Sequence, residues 1–233
     1  MEPITAAQPL VERVYETLRD AICAGDIAPG ERMAEDALAR CLDVSRQPIH
    51  EALRRLHREG FLCETGRRGL AVAPINVTQV EHVYELRAAL ESEAARRAAE
   101  RAVGADRARG EDILLAGRQA VADADIRAMI QADFRFHHYI YEMSGNSVIA
   151  AVATTNWHHV RRVASALSRR LLNLAPLWQE HEAILLAVTA GDGDAAAELA
   201  RRHVEVSIDT MRGFGAAAFN SPTEARIAAS CVG

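Results

Sequence analysis

Three histidines and one aspartate have the side-chain types and the helical spacing of a metal site. Asp133 and His137 are four residues apart on the apolar side of one predicted helix, so their side chains point the same way. His181 and His203 fall on the apolar sides of two later predicted helices. Imidazole and carboxylate ligands together favour Zn²⁺, with Ni²⁺, Mn²⁺, Co²⁺ or Fe²⁺ as alternatives. The spacing leaves a second interpretation open, in which the histidines are core residues and Asp133 pairs with an arginine.

One arginine lies on the inward, apolar side of another predicted helix. A guanidinium group can bind a carboxylate with two parallel hydrogen bonds, so Arg87 is a candidate for holding a small organic acid. An ion pair with Glu91, four residues later, is an equally good interpretation. His138, by contrast, falls on a polar helix face and is expected to face solvent.

A second group of polar residues lies along the outer face of a predicted helix over 45–59. Arg46, His50 and Arg54 recur every four residues, opposite the apolar positions of the same helix. An arginine near the start of a helix in the DNA major groove can donate two hydrogen bonds to guanine. The alternative interpretation is a solvated helix face on which the arginines pair with acidic residues.

The segments around this helix complete a DNA-binding layout. Two predicted helices precede it, and Ser45 is expected to cap its start. Two short apolar runs follow, and Gly66 and Gly69 enclose Arg67 and Arg68 at the tip of a predicted β-hairpin. Helix, turn, helix and hairpin in this order predict a winged helix-turn-helix, in which the hairpin arginines contact phosphate or the minor groove.

After Pro74 every strong pattern is helical. Thr78 and Glu81 are predicted to form a capping box at the start of a helix that runs to about Val103. Five further helices are predicted at roughly 106–121, 125–143, 147–172, 177–190 and 194–213. The predicted fold class is therefore mostly α, a winged helix-turn-helix followed by an all-α helical bundle. We expect a DNA-binding domain at 1–74, a linker at 75–78, the bundle at 79–214 and a loosely ordered tail at 215–233.

The net charge differs between segments of the chain. The overall value of −5 argues against a simple nucleic-acid binder. Residues 44–70, however, hold 6 arginines and 3 acidic residues, a net charge of +3. Most of the other acidic residues of the DNA-binding segment fall on its first two helices, which we expect to lie away from the reading surface.

Some classes of protein are excluded or disfavoured by composition. The chain contains no lysine, which excludes a lysine Schiff base and a lysine-bearing phosphate loop. It has no run of 18 apolar residues, no signal-peptide pattern and no CxxC pair among its four cysteines. These features predict a cytoplasmic protein with no membrane segment.

Longer stretches of the sequence resemble a known family. LDVSRQPIHEALRRLHREGF resembles the DNA-binding domain of GntR-type transcription regulators. VYELRAALESEAARRAA, DFRFHHYIYEMSGN and EHEAILLAVTAGDGDAAAELARRHV are similar to the FCD ligand-binding domain of the FadR-type subfamily. The resemblance implies that Arg46 contacts a base or phosphate and that Gly69 is a wing contact. It also implies that a metal ion is held by four residues, namely Asp133, His137, His181 and His203.

The sequence departs from the family pattern at one position of the reading helix. The family usually has arginine where this chain has His50. A neutral histidine offers one hydrogen-bond donor and one acceptor, whereas arginine offers five donors. We therefore expect an altered preference for operator sequence or a weaker contact at this position.

Together these patterns predict a metabolite-responsive transcriptional regulator without enzymatic activity, expected to be a repressor. It is expected to bind a double-stranded operator as a homodimer and to take a metal ion and a small carboxylate effector in its bundle, with Arg87 binding the effector. The predicted DNA contacts are Arg46, Gln47, His50, Arg54, Arg67, Arg68 and Gly69. The alternatives are a constitutive DNA-binding protein with a structural metal and, less favoured, a metal-dependent enzyme fused to a DNA-binding domain.

Overall fold

The computed structural model describes residues 9–66, 69–102, 107–168 and 174–220. The chain divides into two compact units, and the division falls between Ile75 and Asn76. The N-terminal unit has helices α1 (Leu10–Ala24), α2 (Glu35–Cys41) and α3 (Arg46–Arg58), followed by strands β1 (Leu62–Thr65) and β2 (Gly69–Val72). The strands pair antiparallel, with Leu62 opposite Val72, and form the wing.

The core of the N-terminal unit lies between α1 and α3. Apolar residues at helical spacing give each of these helices one buried side. The core includes Tyr15, Leu18 and Ile22 of α1, Ile49, Leu53 and Leu56 of α3, and Phe61 after α3. The opposite side of α3 stays exposed, including Arg46, Gln47, His50 and Arg54. The helix-turn-helix and its two-stranded wing confirm the predicted fold class for this unit.

The C-terminal unit contains six helices among its described residues. They are α4 (Val77–Arg101), α5 (Arg107–Ala122), α6 (Ile126–Met143), α7 (Ser147–Ser168), α8 (Ala175–Thr189) and α9 (Gly193–Asn220). Alanines of α4 pack against larger side chains of the other helices, so the bundle core is continuous. The all-α bundle confirms the prediction, although α9 continues to Asn220, beyond its predicted end.

The helix starts differ from the predictions in their hydrogen bonds. The predicted capping box of Thr78 and Glu81 is wrong, because α4 begins earlier and Asn76 caps it, accepting a hydrogen bond from the backbone N–H of Gln79 at 3.2 Å. Thr78 therefore lies inside the first turn. Ser45 does occupy the cap position of α3, but its side chain makes no capping hydrogen bond.

Two glycines let α5 approach α8 closely. A Cβ atom at Gly117 would overlap the indole ring of Trp178, and one at Gly110 would lie 2.7 Å from a methyl carbon of Leu185. Both glycines therefore leave space that side chains of α8 fill. Trp178 in turn meets the ring of His181 edge-on, with 4.9 Å between the ring centroids. The close contact with α5 thus helps to position a candidate metal ligand.

Within the described ranges, every helix is too short or too polar to cross a membrane.

Candidate functional site

Three helices of the C-terminal unit bring the candidate metal ligands together in its interior. Asp133 and His137 come from adjacent turns of α6, His181 from α8 and His203 from α9, and all four are buried. One ring nitrogen from each histidine lies within 4.8 Å of the others. The Asp133 carboxylate oxygen lies 3.4 Å from Nε2 of His181 and 3.6 Å from Nε2 of His137.

The chemistry of these four side chains fits a divalent transition metal. Nε2 of His181 and Nε2 of His203 are 3.3 Å apart, and the Asp133 carboxylate faces the same space. Converging imidazole nitrogens with one carboxylate oxygen form a donor set that Zn²⁺ and its neighbours in the first transition row accept. Three of the four residues, the histidines, also meet the distance requirement for ligands of one ion.

Two further carboxylates orient the histidine rings. Glu91 accepts a hydrogen bond from Nδ1 of His137 at 3.0 Å, and Glu180 accepts one from Nδ1 of His203 at 2.8 Å. Because an ionised carboxylate can only accept, each Nδ1 carries a hydrogen and each Nε2 is turned toward the cluster. This is the arrangement by which carboxylates hold metal-binding histidines in one tautomer and one orientation.

These two roles were not predicted from the sequence. The spacing of Glu91 predicts an ion pair with Arg87 and places Glu91 on the same inward side of the helix. Glu180 precedes His181, and adjacent residues of a helix point about 100° apart. The periodicity therefore gave no reason to place Glu180 near the cluster, and only the packing of α8 against α9 does so.

The four candidate ligands Asp133, His137, His181 and His203 form a buried cluster. Among the carboxylates in or beside this cluster, Glu91 accepts the most hydrogen bonds. Besides the His137 ring, Nε of Arg87 donates to it at 2.7 Å and the hydroxyl of Tyr141 at 2.9 Å. Burial acts to raise the pKa of Glu91, but the positive charges of Arg87 and His137 hold that pKa well below its ordinary range. The Glu91 carboxylate is therefore ionised and fully satisfied although it is buried.

The histidines of the cluster differ in their electrostatic surroundings. Burial acts to lower the pKa of His137, yet the carboxylates of Glu91 and Asp133 outweigh it and raise that pKa to about 9. Burial and the neighbouring His203 hold the pKa of His181 well below its ordinary value. His181 is thus a neutral candidate ligand, whereas His137 would have to lose a proton to bind a metal ion.

A cavity of about 210 Å³ opens beside the cluster. Its charged and polar walls come from Arg87, Asp133, His137, Glu180 and His203, and its apolar walls include Val160, Leu167, Leu177 and Val206. Arg87 pairs with Glu91 and also borders this cavity, so the two interpretations of Arg87 do not exclude each other.

His138 lies outside the cluster. Its ring stacks on Phe134 with 5.5 Å between centroids, and its Nε2 is 3.4 Å from a Glu142 oxygen. The side chain is 36% exposed, so it faces the surface, although it follows the buried His137 directly. His138 can therefore serve as a control for His137.

The candidate DNA-reading face lies on the exposed side of α3. The side chains of Arg46 and His50 are 67% and 55% exposed, and Arg54 and Gln47 are also exposed, the latter donating to Glu51 at 3.2 Å. In the wing, Gly69 is half-buried at the start of β2. The predicted contacts Arg67 and Arg68 lie outside the described residues.

The expectation that the acidic residues of the first two helices lie away from this face is wrong for α2. Asp36 lies 3.1 Å from Nε of Arg46, and Glu35 lies 3.7 Å from Arg46 and 2.9 Å from Nδ1 of His50. The physical reason is that α2 packs beside the start of α3, which brings the first turns of the two helices together. The reading face is therefore a mixture of cations and carboxylates.

Two known protein families match the chain, one in each compact unit. Residues 10–72 match the gntR family of bacterial regulatory proteins, and residues 82–206 match the FCD domain. Both candidate groups of residues fall inside these matches, the exposed face of α3 in the first and the buried cluster in the second.

Individual relatives and solved structures agree with this assignment. The Nta operon transcriptional regulator of Aminobacter aminovorans is 34% identical over 189 residues, which is 79% of this chain and 88% of the relative. The HTH-type transcriptional repressor RspR of Escherichia coli is 26% identical over 216 residues, covering 90% of this chain and 92% of the relative. E. coli McbR/YncC has the same fold, with a TM-score of 0.75 at 22% identity over 89% of this chain and 99% of that one.

The match to the FCD domain alone covers more than half of the chain, and the relatives are transcriptional regulators rather than enzymes. The chain is a member of the GntR family of bacterial transcriptional regulators, with an FCD domain following its helix-turn-helix.

Proposed function

We propose that this regulator is a repressor controlled by a small carboxylate, which it binds beside a divalent metal ion in the C-terminal unit. The observation that carries the proposal is the shared cavity, because Arg87 and the candidate ligands Asp133, His137 and His203 border the same space. The repressor function is supported by the relative RspR, which is a transcriptional repressor by name.

The metal ion would be held by Asp133, His137, His181 and His203, with Zn²⁺ the best match to the donor set. When bound, the ion supplies a Lewis-acidic position to which a carboxylate can bind. Glu91 and Glu180 would fix the orientation of the imidazole ligands. No covalent chemistry is required for regulation.

The cavity favours a small acid with a short apolar part. Arg87 provides a cationic wall for the carboxylate, since its guanidinium is buried and still borders the space. Val160, Leu167 and Leu177 provide an apolar wall for hydrocarbon. A volume of about 210 Å³ accommodates a small metabolite.

For DNA binding we propose a homodimer that presents two copies of α3 to the half-sites of an operator. The proposed contacts are Arg46, Gln47, His50, Arg54, Arg67, Arg68 and Gly69. From the sequence pattern we assign residues 1–74 to the DNA-binding domain and 79–214 to the effector domain, and the linker predicted at 75–78 overlaps the start of α4 at Val77. Effector binding would shift the equilibrium between domain arrangements and so change DNA affinity.

Three measurements on the full-length protein test this proposal. Elemental analysis of the purified protein should find about one transition-metal ion per chain. A thermal-shift screen should then find small carboxylates that raise the melting temperature of the metal-loaded protein. A carboxylate that binds but leaves operator affinity unchanged would contradict the effector function.

A purely structural metal is the second candidate function of the cluster. It is favoured by the burial of His181 and His203, through which an ion would tie α8 and α9 to α6. In that case chelation should lower the melting temperature, and none of the carboxylates should raise it. The same screen therefore separates the two functions.

A further inference from the structure

The contact between Glu35 and His50 joins an acid of α2 to the exposed face of α3. Oε1 of Glu35 lies 2.9 Å from Nδ1 of His50, whose side chain is 55% exposed in the second turn of α3. Glu35 is itself only partly exposed, because it lies at the junction of the two helices.

This contact determines which nitrogen of the His50 ring carries the hydrogen. An ionised carboxylate has no hydrogen to donate, so Nδ1 of His50 must be the donor. In the neutral ring the other nitrogen, Nε2, is then an acceptor. No contact of Nε2 is found among the residues that the structure describes, and the ring is exposed, so this acceptor is available to a partner of α3.

We propose that Glu35 makes His50 a hydrogen-bond acceptor and thereby sets the base preference at the position that His50 reads. In the major groove only adenine N6 and cytosine N4 are donors, whereas guanine and thymine present acceptors. The protein should therefore select adenine or cytosine at this position and disfavour guanine. This inference depends on the proposed placement of α3 in the major groove.

The neighbouring arginine has the opposite hydrogen-bonding character. Arg46 has only donors, and Asp36 holds its Nε at 3.1 Å while the side chain remains 67% exposed. One turn of α3 thus presents a donor, and the next turn presents an acceptor. A reading face with this alternation distinguishes a guanine contact at Arg46 from an amino-group contact at His50.

The test is selection of duplex DNA from a random-sequence library by the full-length protein at pH 8, followed by sequencing. For the wild-type protein we expect one position of each half-site to favour adenine or cytosine over guanine by about fivefold, the contribution of one net hydrogen bond. His50→Arg should change the preference at that position to guanine. His57→Arg, the same substitution at an exposed site near the end of α3, should leave the preference unchanged.

Glu35→Gln tests the part played by the carboxylate. An amide can donate as well as accept, so both tautomers of His50 become available and the preference should fall to within about twofold. Guanine at this position in the wild-type selection, or an unchanged preference in Glu35→Gln, would overturn the inference.

The Arg46→Ala variant separates failure of this inference from failure of the proposed function. If Arg46→Ala and His50→Arg both alter the selected sequences but Glu35→Gln leaves the preference at the His50 position unchanged, only the inference about Glu35 fails. If the wild-type protein selects no sequence, or if Arg46→Ala and His50→Arg both leave the selection unchanged, the placement of α3 fails and the inference fails with it.

Discussion

At the scale of single residues, the buried cluster depends on matched donors and acceptors. Glu91 accepts hydrogen bonds from Arg87, His137 and Tyr141, so a carboxylate that would be costly to bury is fully paired. The same carboxylate orients the ring of His137, a proposed metal ligand. One side chain therefore supports both the anion-binding and the metal-binding parts of the proposed site.

Replacing Glu91 should therefore affect stability and metal binding together. Glu91→Gln leaves the buried Arg87 without its ionic partner, so we expect about 3 kcal/mol of destabilisation and a 10–100-fold loss of metal affinity. Glu93→Gln is the matched control, because Glu93 also pairs with an arginine four residues away, but at the surface. Urea unfolding and metal titration measure the two effects, and equal results for the two variants would contradict the role of Glu91.

The neighbouring histidines of α6 should differ in metal binding. His137→Ala removes a proposed ligand, so the metal content after gel filtration should fall to well below one ion per chain. His138→Ala removes a partly exposed ring outside the cluster and should leave the content unchanged. The two tryptophans provide an optical readout, because Trp157 and Trp178 lie 5.8 and 4.9 Å from the rings of His137 and His181. Similar metal contents for both variants would show that the cluster does not hold the ion.

On the reading face, Arg46 should contribute more to DNA affinity than an arginine at the end of the same helix. Arg46→Ala should weaken binding to the selected operator by about 1–3 kcal/mol, with no change in helical content by circular dichroism. Arg58→Ala, an exposed position in the last turn of α3, should cost much less. Equal losses would indicate general charge attraction rather than a specific contact.

At the scale of secondary-structure elements, the packing of α5 against α8 controls where His181 lies. Gly117 faces the indole ring of Trp178, and that ring meets His181 edge-on. A side chain at Gly117 must therefore displace Trp178 or separate the two helices. The position of a candidate ligand on α8 thus depends on a glycine of α5.

Gly117→Ala should destabilise the protein by about 1–3 kcal/mol, because overpacking forces side chains from their preferred rotamers. It should also weaken metal binding, since Trp178 supports His181. Gly213→Ala is the control, because a Cβ atom there meets nothing within 4 Å and alanine favours a helix by about 1 kcal/mol over glycine. Thermal unfolding measures both effects on stability. Equal melting temperatures for Gly117→Ala and Gly213→Ala would contradict the close contact between α5 and α8.

The elements were more predictable than the contacts between them. Helical periodicity was enough to place Asp133, His137 and His181 inside the bundle, because the facing of a side chain is a local property of its helix. The part played by Glu180 and the approach of Glu35 to His50 were not predictable, since each depends on how two helices pack. The start of α4 was missed because Asn76 competes with Thr78 for the cap.

At the scale of the whole molecule, the overall charge of −5 says little about DNA binding. Residues 44–70 are basic, and the acids Glu35 and Asp36 are held against α3 in specific pairs. In the C-terminal unit, arginine and histidine instead border a cavity. Under the proposed function, one composition serves DNA binding in the N-terminal unit and effector binding in the C-terminal unit.

The most direct test of the central claim is the affinity of the metal-loaded protein for a selected operator duplex, measured with and without a carboxylate that raises its melting temperature. The proposed regulation predicts a change in the dissociation constant of at least about fivefold, the lower end of typical allosteric coupling. An unchanged dissociation constant at a saturating concentration of the carboxylate would contradict it.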